Sequence, residues 1–378
     1  MNDLKAMILG AGFAGQGHAL ALRDCGVNIA AMASRTRSEV DRVTREMGIP
    51  TASTDWRKTL REIRPEIVAV GTPAGTHVEM VEAALELKCN VLVDKPLAPT
   101  ADAARGLFEK AAAAGVKTAY AATSRYQPAV LLAREMVARG DIGSVHEVEC
   151  VSHHHWPRLT SFGWPHLLET GGGRLNNNFT HKLSIVLNVL GGTVLTVAGE
   201  SRNDLKRVPV GPPSHDFRNF ATAALTREEA DRCAWRDVDS DWSYTVLARV
   251  GQPGSDPDAG VSATFRHSAL VSSLVENYVA FYGETGTIHI AGAYAQGALH
   301  LVRAKNDWEQ VPIPPAIEQA LPSIKDDAQR NWTQLAREFV GDIRGQGDAG
   351  YLKFRDGWIH QQVIDAVRSA SGWSQISS

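Results

Sequence analysis

Cysteine is scarce in this chain of 378 residues: four in all, Cys25, Cys89, Cys150 and Cys233, widely spaced and never in a CxxC pair. At this length that usage argues against a disulfide framework and fits a reducing compartment. An excess of one charge is also missing, with 39 Lys and Arg against 42 Asp and Glu and a formal net charge of -3. Nucleic-acid or anionic-membrane partners want a strong basic surplus, so neither is expected. No uninterrupted apolar run reaches the roughly 20 residues that cross a bilayer. The opening Met1-Asn2-Asp3-Leu4-Lys5 lacks the apolar stretch and small-residue cleavage site of a signal peptide. A soluble, cytoplasmic protein is the expectation. Internal repeats and low-complexity segments are lacking as well.

What is present is enough apolar residue, 44%, to bury sizeable cores. The length exceeds one ordinary core, and two domains are expected. In the first third, short apolar runs at 6–9, 28–33, 67–70, 91–93 and 116–121 alternate with helical patterns near 14–25, 37–47 and 77–88. Thr100, after Pro99, is placed to cap a further helix. That alternation predicts parallel βαβ units, an α/β doubly wound sheet of the Rossmann kind over 1–122. After residue 122 the pattern changes. A helix at 128–139 is followed by strand-like runs at 145–151, 194–200, 242–250, 260–267, 275–282 and 286–290, then by amphipathic helices at 329–344 and 355–371. This predicts a second, α+β domain over 123–378. Residues 201–240 and 251–259 read as long loops with a short helix near 226–233.

The strongest local signal is Gly10-Ala11-Gly12-Phe13-Ala14-Gly15, a GxGxxG that closes a predicted strand and opens a predicted helix. The first glycine permits the tight turn, the second lets backbone approach a pyrophosphate, and the third allows close helix–strand packing. A nicotinamide dinucleotide, NAD(P), is the implied cofactor. At the end of the second strand, NAD binders usually place an acid for the ribose 2′-hydroxyl. Here stand Ser34, Arg35 and Arg37, with no acid before Glu39. Guanidinium groups suit a 2′-phosphate, so NADP is favoured over NAD.

With these residues in view, the chain resembles the Gfo/Idh/MocA oxidoreductases, the group containing glucose–fructose oxidoreductase and inositol 2-dehydrogenase. Besides the glycine motif, Thr72-Pro73-Ala74-Gly75-Thr76-His77 is similar to the family's T-P-x-x-x-H, and Asp94-Lys95-Pro96 to its E-K-P. Gly171-Gly172-Gly173-Arg174-Leu175 with His181 is similar to its G-G-G-x-L-x-D-x-G-x-H. The resemblance implies a Rossmann domain joined to a C-terminal domain with a large, open, mostly antiparallel sheet. It implies homodimers or homotetramers formed through that sheet. It adds Thr72, Pro73, His77 and Asp94 to the cofactor-binding residues and makes Lys95 and His181 the acid–base pair.

Lys95 ends a strand, where open α/β sheets bind ligands. An amine there can exchange a proton with a substrate oxygen while hydride moves at the same carbon, provided burial lowers its pKa toward neutrality. The resemblance puts Asp at the positions of Asn177 and Ser184, Gly at Phe179 and Glu at Asp94. Asn177 cannot take a proton, so it is read as an orienting, substrate-binding member of the catalytic set.

The run His153-His154-His155 lacks the companions of a recognisable metal motif, and no metal is expected. Arg125, Tyr126, His154, Trp156 and Trp164 are candidates, with Lys95, Asn177 and His181, for contacts to a small-molecule substrate. The expected activity is hydride transfer between nicotinamide and a sugar, polyol or related cyclic alcohol. Two rivals are a redox-neutral lyase or epimerase with tightly held cofactor, and a non-catalytic nicotinamide-binding regulator on the same fold.

Overall fold

The computed structural model describes residues 4–212, 224–271, 276–303, 308–348 and 350–377. Residues 213–223 of the expected 201–240 loop, and residue 275 of the expected strand 275–282, lie outside the described residues.

Six strands form the first sheet: β1 (Lys5–Leu9), β2 (Asn28–Ala33), β3 (Thr51–Ser53), β4 (Ile67–Val70), β5 (Asn90–Asp94) and β6 (Thr118–Ala121). All pair in parallel, in the order β3-β2-β1-β4-β5-β6. The central strands have continuous apolar interiors, β4 from end to end, because helices cover both faces: α1 (Phe13–Asp24), α2 (Arg37–Met47), α3 (Trp56–Ile63), α4 (His77–Glu86) and α5 (Ala101–Ala114). The order reverses between β1 and β4, and the crevice beyond the carboxyl ends of these strands is where such sheets take ligands.

The second sheet has nine strands: β7 (Val145–His153), β8 (Thr193–Arg202), β11 (Ser243–Gly251), β12 (Val261–Ser268), β13 (Tyr278–Gly283), β14 (Gly286–Ala291), β15 (Leu299–Arg303), β16 (Glu309–Val311) and β17 (Ser374–Gln375). Only β7 and β12 pair in parallel. One face packs on α6 (Pro128–Ala138), α7 (Thr180–Leu190) and the last helix, Phe354–Ser369, through Phe179, Tyr244, Phe265 and Phe281. The other face is open and carries Leu247 and Tyr282, 41% and 37% exposed.

Three departures from expectation stand out. The region 51–63, where no element is expected from the sequence, holds β3 and α3. The expected 201–240 loop contains an antiparallel pair, β9 (Arg207–Pro209) with β10 (Trp235–Asp237). The short helix in it, Arg227–Asp231, is capped by Thr226 with a reciprocal bond from Glu229. Strands β15 and β16 and the helix Pro315–Ala320 were also unforeseen. The long helix Asp327–Ile343 returns to the first sheet, where Trp332 packs 4.9 Å from Phe13 and 5.3 Å from His18. Among the described residues no helix is long and apolar enough to cross a membrane.

Candidate active site

A cleft of about 1140 Å³ opens between the carboxyl end of the first sheet and the segments that follow β7. Its floor is built by close backbone contact. A Cβ on Gly10 (φ +108°) would lie 2.8 Å from the Gly71 carbonyl, and one on Gly15 would lie 1.9 Å from the Gly10 carbonyl. The turns after β1 and β4 therefore touch, and α1 sits directly on the first turn. No side chain caps α1 and no acid occupies its first turn, so its positive end is open to an anion. The residues present thus fit a dinucleotide: a glycine cradle, a helix N-terminus and a cleft lined from Arg35 at one side to Lys95 at the other.

The sequence-predicted cofactor residues divide into two groups. Gly10, Gly12, Phe13 and Ala14 line the cleft, as do Ser34 and Arg35 beyond β2, Thr72 and Pro73 beyond β4, and Asp94 and Lys95 at the end of β5. Three others do not. Gly15 acts by packing alone. Arg37 turns away to Asp41, 2.8 Å distant on the same exposed helix face. His77 is fully buried, its ring nitrogens 2.8 Å from the Thr72 carbonyl and 3.0 Å from the Pro96 carbonyl. It braces the two cofactor-side loops from beneath rather than meeting a ligand. Glu39 does line the cleft beside Arg35.

The Lys95 backbone N–H donates to the Asp94 carboxylate at 2.8 Å, and its ammonium reaches Asn177 Oδ1 at 3.1 Å. The Asn177 amide is oriented by its own Nδ2, which donates to the Gly173 carbonyl at 2.8 Å. Its oxygen is thereby left to face Lys95. Burial pushes the Lys95 pKa down, and Arg174 adds to the fall while Asp94 opposes it. His181 lies in the same cleft, one turn along. Burial, with Lys95 and Lys182 nearby, drives its pKa well down, so the ring is neutral at ordinary pH. Its Nδ1 is buried without a partner among the described residues.

Asn177 and His181 share the cleft although the segment Leu175–Phe179 is a π-helical turn leading into α7. The turn is anchored by Asp241, whose carboxylate accepts from the Leu175 N–H at 2.8 Å and pairs with Arg368 at 2.8 Å.

Of the substrate candidates, His154, Trp156 and Trp164 line the cleft. Arg125 and Tyr126 do not, contrary to expectation. Arg125 donates to Asn188 Oδ1 at 2.7 Å, and the buried Tyr126 hydroxyl to Glu338 at 2.5 Å. Both are spent on joining elements behind the site. His153, His154 and His155 diverge, and the His155 Nδ1 meets the Val271 carbonyl. Among the described residues no group of three or more His, Cys, Asp or Glu could hold a metal ion.

Sequence reasoning missed Arg174, Tyr294 and the cover supplied by Asn331 and Trp332, all of which line the cleft. The position of Arg174 after three glycines was a signal for the first. Nothing local marked the others.

The fold and the cleft together define a dinucleotide-binding oxidoreductase. The chain belongs to the Gfo/Idh/MocA family: residues 4–122 match "Oxidoreductase family, NAD-binding Rossmann fold" and residues 130–292 match "GFO/IDH/MocA C-terminal domain". Among curated relatives, a scyllo-inositol 2-dehydrogenase (NAD(+)) of Bacillus subtilis is 24% identical over 67% of this chain and 73% of its own. A D-xylose 1-dehydrogenase (NADP(+)) of Haloferax volcanii is 34% identical over 31% of this chain and only 35% of its own length. A solved levoglucosan dehydrogenase, in complex with NADH and L-sorbose, superimposes with a TM-score of 0.84 over 99% of both chains at 18% identity.

Proposed function

We propose that this protein moves a hydride between a nicotinamide cofactor and a CH–OH carbon of a sugar, polyol or related cyclic alcohol. Residues 1–122 hold the cofactor, and 123–378 supply the substrate face. The observation that carries the reading is the Lys95–Asn177 contact: a buried, pKa-lowered amine held at the end of β5 in the cleft that begins at the glycine turn. The bound nicotinamide supplies the hydride acceptor or donor.

The rest falls to the chain's own groups. In the oxidising direction the neutral Lys95 amine takes the hydroxyl proton as the carbon becomes a carbonyl; in reduction the ammonium returns it. Asn177 Oδ1 fixes the direction of the amine. Neutral His181 presents a ring nitrogen to a second substrate oxygen and relays the proton or holds the hydroxyl. Trp156 and Trp164 exclude water and give the apolar face of a ring something to lie on.

NADP is favoured over NAD on the strength of Ser34 and Arg35, with Glu39 as the competing feature. A homodimer or homotetramer through the open face of the nine-stranded sheet, in a cytoplasmic setting, completes the reading. The test is to titrate NADPH and NADH into the purified protein, following nicotinamide fluorescence, and then to follow absorbance at 340 nm with a sugar and polyol panel. Binding of neither dinucleotide by folded protein would remove the proposal.

A further inference from the structure

Arg174 has no counter-ion among the described residues. It is 6% exposed, and among the described residues no carboxylate lies within ion-pair distance of it. Asp241, whose backbone carbonyl accepts from the Arg174 N–H at 2.9 Å, has its carboxylate committed to Arg368 and to the Leu175 N–H. Two imidazoles hold the Arg174 side chain instead. Nε donates to His267 Nε2 at 3.0 Å, and Nη2 donates to His154 Nδ1 at 3.0 Å.

Both rings must be neutral to accept these bonds. His267 Nδ1 faces the Ser152 carbonyl at 2.9 Å, so it carries the proton and leaves Nε2 as the acceptor. By the same logic His154 carries its proton on Nε2. Its pKa is pushed down to about 3, by burial first and then by Arg174 and Lys182.

A second cation lies in the same layer. Lys182 is fully buried, donates to the Ala293 carbonyl and sits 5.1 Å from the centre of the Tyr294 ring. It too has no acidic partner among the described residues.

Burying a guanidinium without an anion is strongly unfavourable. A link between two imidazoles needs no charge; an amide would make it. The charge is compensated only when something anionic enters the cleft that Arg174 lines. The geometry also limits the shape of that group. Nε and Nη2 meet the imidazoles along one side of the fork. Nη1 has no hydrogen-bond partner among the described residues, so the Nη1–Nη2 edge remains, and a planar two-oxygen acceptor fits it.

We propose that the substrate carries a carboxylate and that Arg174 receives it on its Nη1–Nη2 edge, beside the His154 Nε2–H. This rests on the hydride-transfer reading and narrows its substrate to hydroxy acids of the sugar or polyol series. With the carboxylate placed at Arg174, the hydroxyl-bearing carbon lies toward Lys95, whose pKa Arg174 already influences.

The test uses matched pairs against the cofactor-loaded protein: D-galacturonate with D-galactose, D-glucuronate with D-glucose, D-gluconate with D-glucitol, and D-glucose 6-phosphate as the other anion. Calorimetric titration reads binding, and absorbance at 340 nm reads turnover. At least one acid is expected to bind tenfold or more tightly than its neutral partner. Arg174→Met should lose about a hundredfold of that affinity and abolish the acid's advantage over its neutral partner, and Arg174→Lys should recover only part of it. Equal binding within every pair, binding of neutral partners alone, no acid bound, or the phosphate ester preferred to all carboxylates would each overturn the assignment. The wild-type comparison stands even if a variant misfolds. Acid binding without any change at 340 nm supports the anion site and removes the hydride-transfer reading, so the two fail separately.

Discussion

Lys95 carries the amine that the proposed mechanism uses to exchange a proton beside the end of β5. Lys95→Met is expected to lower turnover by roughly 10²–10⁴-fold, the usual range for an acid–base group. Dinucleotide affinity should change little; a matching loss of NADH binding in the fluorescence titration would show the lysine to be structural. Asn177→Asp makes a different prediction. A carboxylate 3.1 Å from the ammonium stabilises the charged form and raises the lysine pKa. The oxidation rate needs the neutral amine, so its rising limb should move to higher pH. A limb that stays in place in the pH–rate profile would separate Asn177 from Lys95. That Lys95 and Asn177 lie together in the cleft was legible because each sits in a short motif with a strand or glycine turn beside it. Arg125, Tyr126 and His77 were misplaced for one reason: sequence position near a strand end does not say which way a side chain turns. Here Asn188, Glu338 and backbone carbonyls claim them.

Among the elements, the helix Asp327–Ile343 governs the cofactor side. Trp332 fills the space above α1 so completely that a Cβ on Gly17 would come within 2.1 Å of its ring. Trp332→Ala should cost about 3–5 kcal/mol, as large core truncations do. It should also weaken dinucleotide binding, because the same ring lines the cleft. Melting curves with and without NADH check both effects; an unchanged ligand-induced shift would detach the helix from the site. The sequence announced this helix by its amphipathic period but not its destination, since a 3.6-residue stripe does not name its partner. Other elements were missed for lack of length. Strand β3 has three residues, too few for a period. Helix α3 did carry a readable stripe, Trp56, Leu60 and Ile63, behind an Asp55 cap, and could have been found.

At the scale of the whole molecule, several histidines are folded in neutral form. Burial holds His360 and His154 down to about 3 and His166 to about 4. In the unfolded chain each titrates near 6.5. The native state is therefore unpenalised above about pH 6.5. Below that the unfolded chain binds protons first, and stability falls by up to about 1.4 kcal/mol per pH unit for each fully buried histidine until its folded pKa is reached. Calorimetry at pH 7.5, 6 and 5 should show a melting temperature dropping steadily; a flat profile would contradict the buried neutral rings. Assembly is testable in the same preparations. Light scattering should report a dimer or tetramer, and the pair Leu247→Glu with Tyr282→Glu should yield monomer, since both project from the open sheet face. The two sheets were visible in advance as a switch from alternating strands and helices to strands in succession. The way the chain's last third covers its first was not.

That return path has a consequence for biosynthesis. A ribosome delivers Lys5–Ala121, the whole of the first sheet, long before Trp332 emerges. Until then the nascent sheet and α1 carry a bare apolar seat where the late helix will dock, a surface of the kind that chaperones bind. The nucleotide cleft thus acquires this wall only after about 200 further residues have been added, and its ligand becomes a witness that Trp332 has docked.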